Sequence, residues 1–239
     1  MKITATPADT INELILDIQR IEVAVSDEPD KEGEWTSLDF AGRTQDMKKL
    51  TNGKIIQLSD QYFPVKGTIR KVKVVFGTNN SIKTTGGVRK LIIPNELSQG
   101  VILNDVVVNL YPNVICSTII DMNNVVSLEE STGNYLLNSS IRVYSESLGH
   151  ALHGSVSPKE AHATVMIKKD KESFLSFPEQ DGMFVFKGLK EGEWEIHVLA
   201  NKSSGFRDTI FKDTVFPDKI RELKPKPIVL KPKQAPVSP

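Results

Sequence analysis

The clearest regularity in the chain is an alternation of apolar and polar residues with a period of two. Ile21, Val23 and Val25 are separated by smaller or more polar residues. In GTIRKVKVVFG, residues 67–77, apolar positions are interleaved with basic residues, and the phase slips once. Successive side chains of a strand point to opposite faces, so this pattern predicts half-buried β-strands.

Turn-forming residues divide the pattern into short segments. Gly, Pro, Asn and Asp punctuate it roughly every eight to twelve residues, a spacing typical of antiparallel sandwiches. The stretch DMKKLTNGK, residues 46–54, predicts a single helical turn that ends at the turn dipeptide Asn52-Gly53. The pattern otherwise contains little helical periodicity.

The alternation restarts after Ser147, which suggests a second domain. The sequence therefore predicts an all-β protein of two antiparallel β-sandwich domains in tandem, immunoglobulin-like or transthyretin-like, at residues 1–147 and 148–232. We expect the proline-containing segment 233–239 to be a disordered tail.

One stretch, EQDGMFVFKGLKEGEWEIHV at residues 179–198, concentrates glycines and aromatic residues. Its glycines lack the spacing of a phosphate-binding loop, and strands rather than a helix follow them, so turn positions are the expected role. Phe184, Phe186 and Trp194 fall on alternating positions that predict core packing with Leu189 rather than ligand stacking.

Composition narrows the classes of partner. Thirty Lys and Arg residues balance thirty Asp and Glu residues, which argues against nucleic acid as a partner. Cys116 is the single cysteine, within the apolar run NVICSTII, and we expect a buried structural thiol. No apolar run approaches the ~20 residues that a membrane-spanning helix needs. The first residues, MKITATPADT, lack the apolar segment of a signal peptide, so any targeting segment is expected outside this chain.

Metal and catalytic signals are weak. The four histidines are His150, His153, His162 and His197. None of them has the sequence spacing to a carboxylate that is typical of metal ligands. We expect His197 to face solvent. Five loosely grouped side chains could hold a calcium ion between loops, although we expect them to be solvated residues of turns. They are Asn104, Asp105, Asp121, Asn123 and Asn124. No hydrolase or zinc-protease motif is found. We therefore predict no cofactor, no metal site and no catalytic residue.

Four aromatic residues form the pool of candidate ligand-binding positions. They are Trp35, Tyr62, Tyr111 and Tyr144. Trp35, beside the acidic turn DEPDKEGE, is the better candidate for an exposed platform, although a core position is the commoner outcome for tryptophan.

The region of residues 2–146 resembles the bacterial lipoprotein domain of unknown function 4382. The resemblance is carried, in order, by PADTINELILDIQRIEV, DMKKLTNGK, FPVKGTIRKVKVVFGTNNSI and YLLNSSIRV. It implies an antiparallel β-sandwich, an extracytoplasmic location in the cell envelope or at the outer-membrane surface, and lipid anchoring through a cysteine. That cysteine is absent from this chain, so membrane contact is expected only through an anchor outside it.

The region of residues 149–231 resembles the carboxypeptidase regulatory-like fold, which is transthyretin-like and often grouped with starch-binding-like folds. DGMFVFKGLKEGEWEIHV carries this resemblance, together with GSVSPKEAHATVMI before it. It implies a small sandwich of the kind appended to enzymes, transporters and adhesins. A fold alone does not assign carbohydrate binding.

These observations leave three functional hypotheses. The first is a non-catalytic cell-envelope lipoprotein that binds a surface protein or glycan, or takes part in surface assembly. The alternative is a carbohydrate-binding accessory protein, which requires exposed aromatic rings with amide or carboxylate neighbours. The third and weakest is a hydrolase whose carboxylates are assembled in space.

Overall fold

The computed structural model of the chain describes residues 1–28, 31–63, 66–104, 106–146, 150–217 and 219–233. The chain divides into two compact units, Met1–Ser147 and Leu148–Pro239. Of the expected tail, Lys233 donates its backbone N–H to the Gly205 carbonyl at 2.7 Å, and residues 234–239 lie outside the described part.

The first unit consists of short strands joined by turns. They are β1 (Lys2–Thr6), β2 (Glu13–Ser26), β3 (Glu34–Ser37), β4 (Arg43–Asp46), β5 (Ile56–Gln57), β6 (Gly67–Phe76), β7 (Ser81–Thr84), β8 (Gly87–Ile92), β9 (Val101–Leu103), β10 (Val108–Leu110), β11 (Thr118–Asn123), β12 (Val126–Glu129), β13 (Asn134–Leu137) and β14 (Ile141–Ser145).

These strands form two sheets. One has the order β14-β11-β1-β5, and the other runs β10-β6-β2-β7-β8-β13-β12, with β9 on β6. Strands β3 and β4 pair with the edge of β2 opposite β6 and β7. Most pairs are antiparallel, as predicted, but β1 with β11 and β8 with β13 are parallel.

A bulge interrupts the pairing of β2 with β6. Val25 is half-buried but still packs against the core of the first unit, on the face that the alternation predicted, and Ser26 is buried while its hydroxyl donates to the Glu28 carbonyl. Ala24 pairs with Lys71 while Val25 pairs with Ile69, so Arg70 is an extra residue in β6. The same bulge explains the phase slip in the sequence of β6.

The second unit contains β15 (Ala151–Ser157), β16 (Thr164–Lys169), β17 (Glu172–Ser176), β18 (Met183–Lys187), β19 (Gly192–Leu199), β20 (Thr209–Val215), β21 (Ile220–Glu222) and β22 (Ile228–Val229). One sheet has the order β18-β15-β21, with β22 also on β15, and the other is β17-β16-β19-β20. Strands β21 and β22 run parallel to β15, and the remaining pairs are antiparallel.

Each unit has its own core between its two sheets. In the first, Ile3 of β1 and Ile120 of β11 pack in one cluster with Ile21 and Val72 of the other sheet. In the second, Phe184, Phe186, Leu189 and Trp194 are buried in a shared cluster, as the alternation predicted. The fold is all-β with facing sheets, which confirms the predicted class.

Helical structure is confined to short 3₁₀ segments in the described residues. They are Met47–Leu50, Asn95–Leu97 and Lys159–Ala161, and the first is the turn predicted from DMKKLTNGK. Asp46 begins it by accepting the Lys48 backbone N–H at 3.1 Å. None of these segments has the length or apolar character that a helix crossing a membrane needs.

Candidate functional site

Three of the four candidate aromatic residues are exposed. Tyr62 is 67% exposed, Tyr111 46% and Trp35 44%. Tyr144 differs, because it is half-buried on β14 with the Arg142 guanidinium 5.0 Å from its ring centroid. Burial, with the Asp121 carboxylate nearby, raises the pKa of the Tyr144 hydroxyl above its ordinary value. Tyr144 is therefore not an exposed candidate for ligand binding.

Trp35 lies on the outer face of its sheet. The Lys73 ammonium is 5.7 Å from the indole centroid and forms an ion pair with Glu22 at 2.8 Å. The neighbours of Trp35 in β3, Glu34 and Thr36, line a depression on the other face. Since adjacent residues of a strand point to opposite faces, Trp35 does not share a site with Tyr62 or Tyr111.

Tyr62 and Tyr111 line the same cleft of the first unit. Its volume is about 550 Å³, within the ~300–1,000 Å³ usual for small-ligand sites. We call it the tyrosine cleft. Its apolar lining includes Phe63 and Leu110, and Val114 and Ile115 contribute side chains that are 57% and 96% exposed.

Two loops bring the tyrosines together. Tyr62 lies in the segment after β5, which is held to the start of β1 because Leu58 and Ser59 donate their backbone N–H groups to the Met1 carbonyl. Tyr111 directly follows β10. Asn113 then reverses the chain with a φ of 61°, and Val114 closes this turn by donating to the Tyr111 carbonyl at 3.2 Å.

Polar groups complete the lining of the tyrosine cleft. They come from Ser59, Asp60, Gln61, Asn113, Cys116 and Thr118. The Asp60 carboxylate and the Asn113 amide have no hydrogen-bond partner within the described part of the chain. Gln61 accepts the Asp39 backbone N–H through Oε1 at 2.8 Å, so its amide N–H groups remain available. Ser59 Oγ is buried and likewise has no partner among the described residues.

Two depressions adjoin the tyrosine cleft. One, of about 280 Å³, shares Tyr111 with it, and the other, of about 700 Å³, shares Tyr62. Both are lined by Lys66, whose ammonium lies 5.9 Å from the Tyr111 ring centroid. Asp27 lines both depressions, and Lys31 and Glu34 line the larger one. The three cavities therefore adjoin one another around two aromatic rings.

The lining of the tyrosine cleft suits binding better than acid–base chemistry. Among the described residues that line it, Asp60 is the only carboxylate and none is a histidine. The Met1 ammonium also lines the cleft; burial lowers the pKa of this ammonium, and the Asp60 carboxylate opposes that shift. Exposed aromatic rings beside amide and carboxylate groups are typical of recognition.

Cys116 is not the buried strand residue that the sequence predicted. It precedes β11, is half-exposed and lines the tyrosine cleft. Its Sγ donates to the Asn109 carbonyl at 3.1 Å. The apolar run NVICSTII misled because Val114 and Ile115 are exposed, and only its end enters a strand.

The four histidines belong to the second unit, whereas the tyrosine cleft is lined by residues of the first. His150 Nδ1 is 3.0 Å from the Leu189 carbonyl oxygen, and His153 lies opposite Glu222 across β15 and β21. His197 was expected to face solvent, yet its side chain is only 13% exposed because it is hydrogen-bonded to Glu195 and lies between Met166 and Ile210 of the flanking strands.

Asp121, one of the side chains considered for a calcium site, has a partner within the protein. Asp121 is buried in β11, and its carboxylate pairs with Arg142 at 2.7 Å, so it is not available as a ligand. Asp105 lies outside the described residues. Within the part of the chain that the structure covers, no cluster of three or more His, Cys, Asp or Glu side chains could hold a metal ion.

Sequence reasoning identified the two tyrosines but missed their neighbours. Lys66, Gln61, Asn113 and Ile115 all belong to turns or loops without a periodic pattern. The only local signal is YPN at residues 111–113, a turn sequence that ends β10 and leaves the following apolar residues outside a strand.

Comparison with known proteins supplies a family but no activity. A family described as "Domain of unknown function (DUF4382)" matches residues 1–139. No curated protein matches the chain. Among solved structures, the chain is similar to the Bacillus anthracis TIE protein, with 12% identity and a TM-score of 0.29, over 96% of this chain and 38% of that one. The chain thus spans well under half of that protein's length.

Proposed function

Because the chain belongs to the family described as domain of unknown function (DUF4382), we propose a function from its own surfaces: a non-catalytic module of the cell envelope that binds a surface partner or takes part in surface assembly. The tyrosine cleft carries this proposal. It presents Tyr62 and Tyr111 on one surface of the first unit, with apolar side chains exposed beside them. Exposed apolar patches of this kind commonly mark interaction sites.

The second unit supports an accessory role. We infer that it has the carboxypeptidase regulatory-like fold, since its two sheets enclose a core built on Phe184, Phe186 and Trp194. Gly182 and Gly188 lie in the turns on either side of β18 and Gly192 is the first residue of β19, with φ values of 81°, 61° and 105°. These are the positions that the resemblance rests on.

The proposed location in the cell envelope, as a lipoprotein, rests on the resemblance of the first unit to a lipoprotein domain. It motivates the choice of binding partner in the test.

The test is the binding of the labelled full chain to cell envelopes of the organism that encodes it. We expect saturable binding that falls roughly tenfold in affinity for Tyr62→Ala and for Tyr111→Ala, the loss that about 1.4 kcal/mol of ring contact produces. Unchanged circular dichroism would show that both variants are folded. Wild-type affinity in both variants would rule out the tyrosine cleft as the binding site.

A catalytic assay tests the non-enzymatic part of the proposal. The full chain is incubated with glycans, peptides and esters, and we expect no turnover. Turnover that disappears in Asp27→Asn or Glu34→Gln, the two carboxylates of the larger depression, would establish a hydrolase instead.

One observation favours the carbohydrate-binding alternative in particular. Tyr62 and Tyr111 share their cleft with a carboxylate and an amide that have no hydrogen-bond partner in the described part of the chain, a combination that suits sugar hydroxyls.

A further inference from the structure

We propose that the occupant of the tyrosine cleft is an uncharged glycan chain that stacks on Tyr62 and Tyr111; this inference rests on the proposed function. A sugar ring has faces of C–H groups and a rim of hydroxyls. It therefore needs a flat apolar surface beside hydrogen-bonding groups. Both tyrosines have large exposed fractions, and each adjoins a second depression.

The polar groups of the tyrosine cleft match the sugar hydroxyls. The Asp60 carboxylate accepts hydrogen bonds, and the Asn113 amide both donates and accepts. The amide N–H groups of Gln61 add donors, because only its oxygen is used by Asp39. A hydroxyl of a sugar is both donor and acceptor, so such a mixed set can satisfy adjacent hydroxyls without a surplus of either kind.

The charge of the lining favours an uncharged ligand. Asp60 is the only charged side chain among the described residues of the tyrosine cleft, and the Met1 ammonium, which also lines the cleft, interacts with it electrostatically. These two charges offset each other. Lys66 adds a cation 5.9 Å from the Tyr111 ring centroid. The lining therefore has no large surplus of either sign, and a neutral sugar needs none.

The strand edges beside the cleft disfavour an added peptide strand. A peptide that extends a sheet requires free backbone groups at the edge. At β10, the Asn109 carbonyl oxygen already accepts a hydrogen bond from Cys116 Sγ at 3.1 Å. In the segment after β3, the Asp39 backbone N–H already donates a hydrogen bond to the Gln61 side chain at 2.8 Å. A stacked glycan uses side chains and leaves both bonds intact.

The dimensions favour a chain over a single sugar. The tyrosine cleft of about 550 Å³ shares lining residues with depressions of about 280 and 700 Å³. A ligand that occupies all three must be extended, and successive units of one chain can contact Tyr111, the central cleft and Tyr62.

The experiment separates a glycan from a protein partner. Binding of the full chain is measured on three samples of the same envelopes: untreated, oxidised with periodate to cleave sugar diols, and digested with protease. We expect binding to be lost after periodate and retained after protease. Tyr62→Ala and Tyr111→Ala should each lower affinity roughly tenfold on the untreated sample, whereas Tyr62→Phe and Tyr111→Phe, which keep the rings, should retain most of it.

Trp35→Ala is the matched control, because Trp35 is an exposed aromatic residue on the outer face of the sheet, and we expect wild-type binding. Loss of binding with Trp35→Ala alone would overturn the inference by moving the site to that face. Binding that survives periodate and disappears after protease, yet still depends on Tyr62 and Tyr111, would overturn the glycan while leaving the proposed function intact. Absence of binding to every sample would overturn both.

Discussion

Gly182 turns the chain into β18 at a point where the backbone of β15 passes close by. Its φ is +81°, and a Cβ at this position would lie 2.3 Å from the Val156 carbonyl oxygen. A left-handed conformation costs a non-glycine residue about 1–2 kcal/mol, and here a contact with rigid backbone adds to that cost. Glycine at this position is therefore fixed by two independent constraints.

Replacing Gly182 with Ala should destabilise the second unit by more than about 2 kcal/mol. Gly205→Ala is the matched control, since Gly205 has a φ of +77° but no atom within 4 Å of the added Cβ. It should cost only about 1 kcal/mol. Urea unfolding of both variants measures the difference between their free energies of unfolding. Equal decreases in the two variants would show that a backbone shift relieves the close contact at residue 182.

Glu22 is the clearest pH-sensitive carboxylate of the first unit. A hydrogen bond from Lys73, with Arg20 also contributing, lowers the pKa of Glu22 below its ordinary value of 4.5. Because the folded pKa is the lower one, this pairing stabilises the protein above pH 4.5 and is lost as the pH falls through the folded pKa.

The Glu22→Gln variant should therefore be less stable than the wild type at neutral pH, by up to about 1 kcal/mol. The gap should close as the pH falls below about 4. Urea unfolding at a series of pH values provides the measurement. A gap that stays constant with pH would mean that the variant acts through packing and not through charge.

Among the strand pairs, β11 and β14 are joined by an ion pair as well as by backbone hydrogen bonds. Asp121 and Arg142 are directly opposite in the register, and Asp121 is only 5% exposed. The carboxylate accepts from both Nε and one terminal nitrogen of the guanidinium, at 2.9 and 2.7 Å. Removing one partner of a buried pair leaves the other charge without compensation.

We expect Asp121→Ala to lower the free energy of unfolding by about 2–3 kcal/mol. Glu193→Ala is the control on another sheet, because Glu193 pairs with Lys212 at 2.8 Å but both side chains are 60% exposed. That variant should leave the unfolding midpoint unchanged. An equally small effect of Asp121→Ala would show that water replaces the carboxylate at Arg142.

The elements were predictable where one face of a strand is buried. In β19, Trp194, Ile196 and Val198 alternate with half-exposed residues, and period two alone places them in the core. In β6 the period of two breaks between Ile69 and Val72, because Arg70 is an extra residue in the pairing with β2. The sequence shows this break, but the pairing that explains it involves a strand that is distant in sequence.

Over the whole molecule, the sequence predicted the layers but not the site. Tyr62 and Tyr111 are each recognisable as candidates, yet no pattern links the loop after β5 with the loop after β10. They meet because β1, β5, β6 and β10 are arranged by long-range pairing. Exposure of Tyr62 and burial of Tyr144 likewise depend on neighbours that are distant in sequence.

Because each unit has its own core, we expect fragments 1–146 and 150–233 to fold separately. Circular dichroism and a cooperative thermal transition for each fragment would test this. The first fragment should also retain the binding assigned to the tyrosine cleft. A fragment that folds only when the other is added would show that its core is incomplete alone.

The parallel pairing of β1 with β11 has a consequence for synthesis. Lys2 pairs with Ile119 and Thr6 with Asn123, so β1 is synthesised well before β11, the strand with which it pairs. Pairing across such a sequence distance is slow, because the chain between them must be ordered first. Until then β1 exposes Ile3 and Ala5, and the unit can complete its second sheet only after β11 has emerged. Chaperone contact with the nascent chain is therefore expected to centre on this strand.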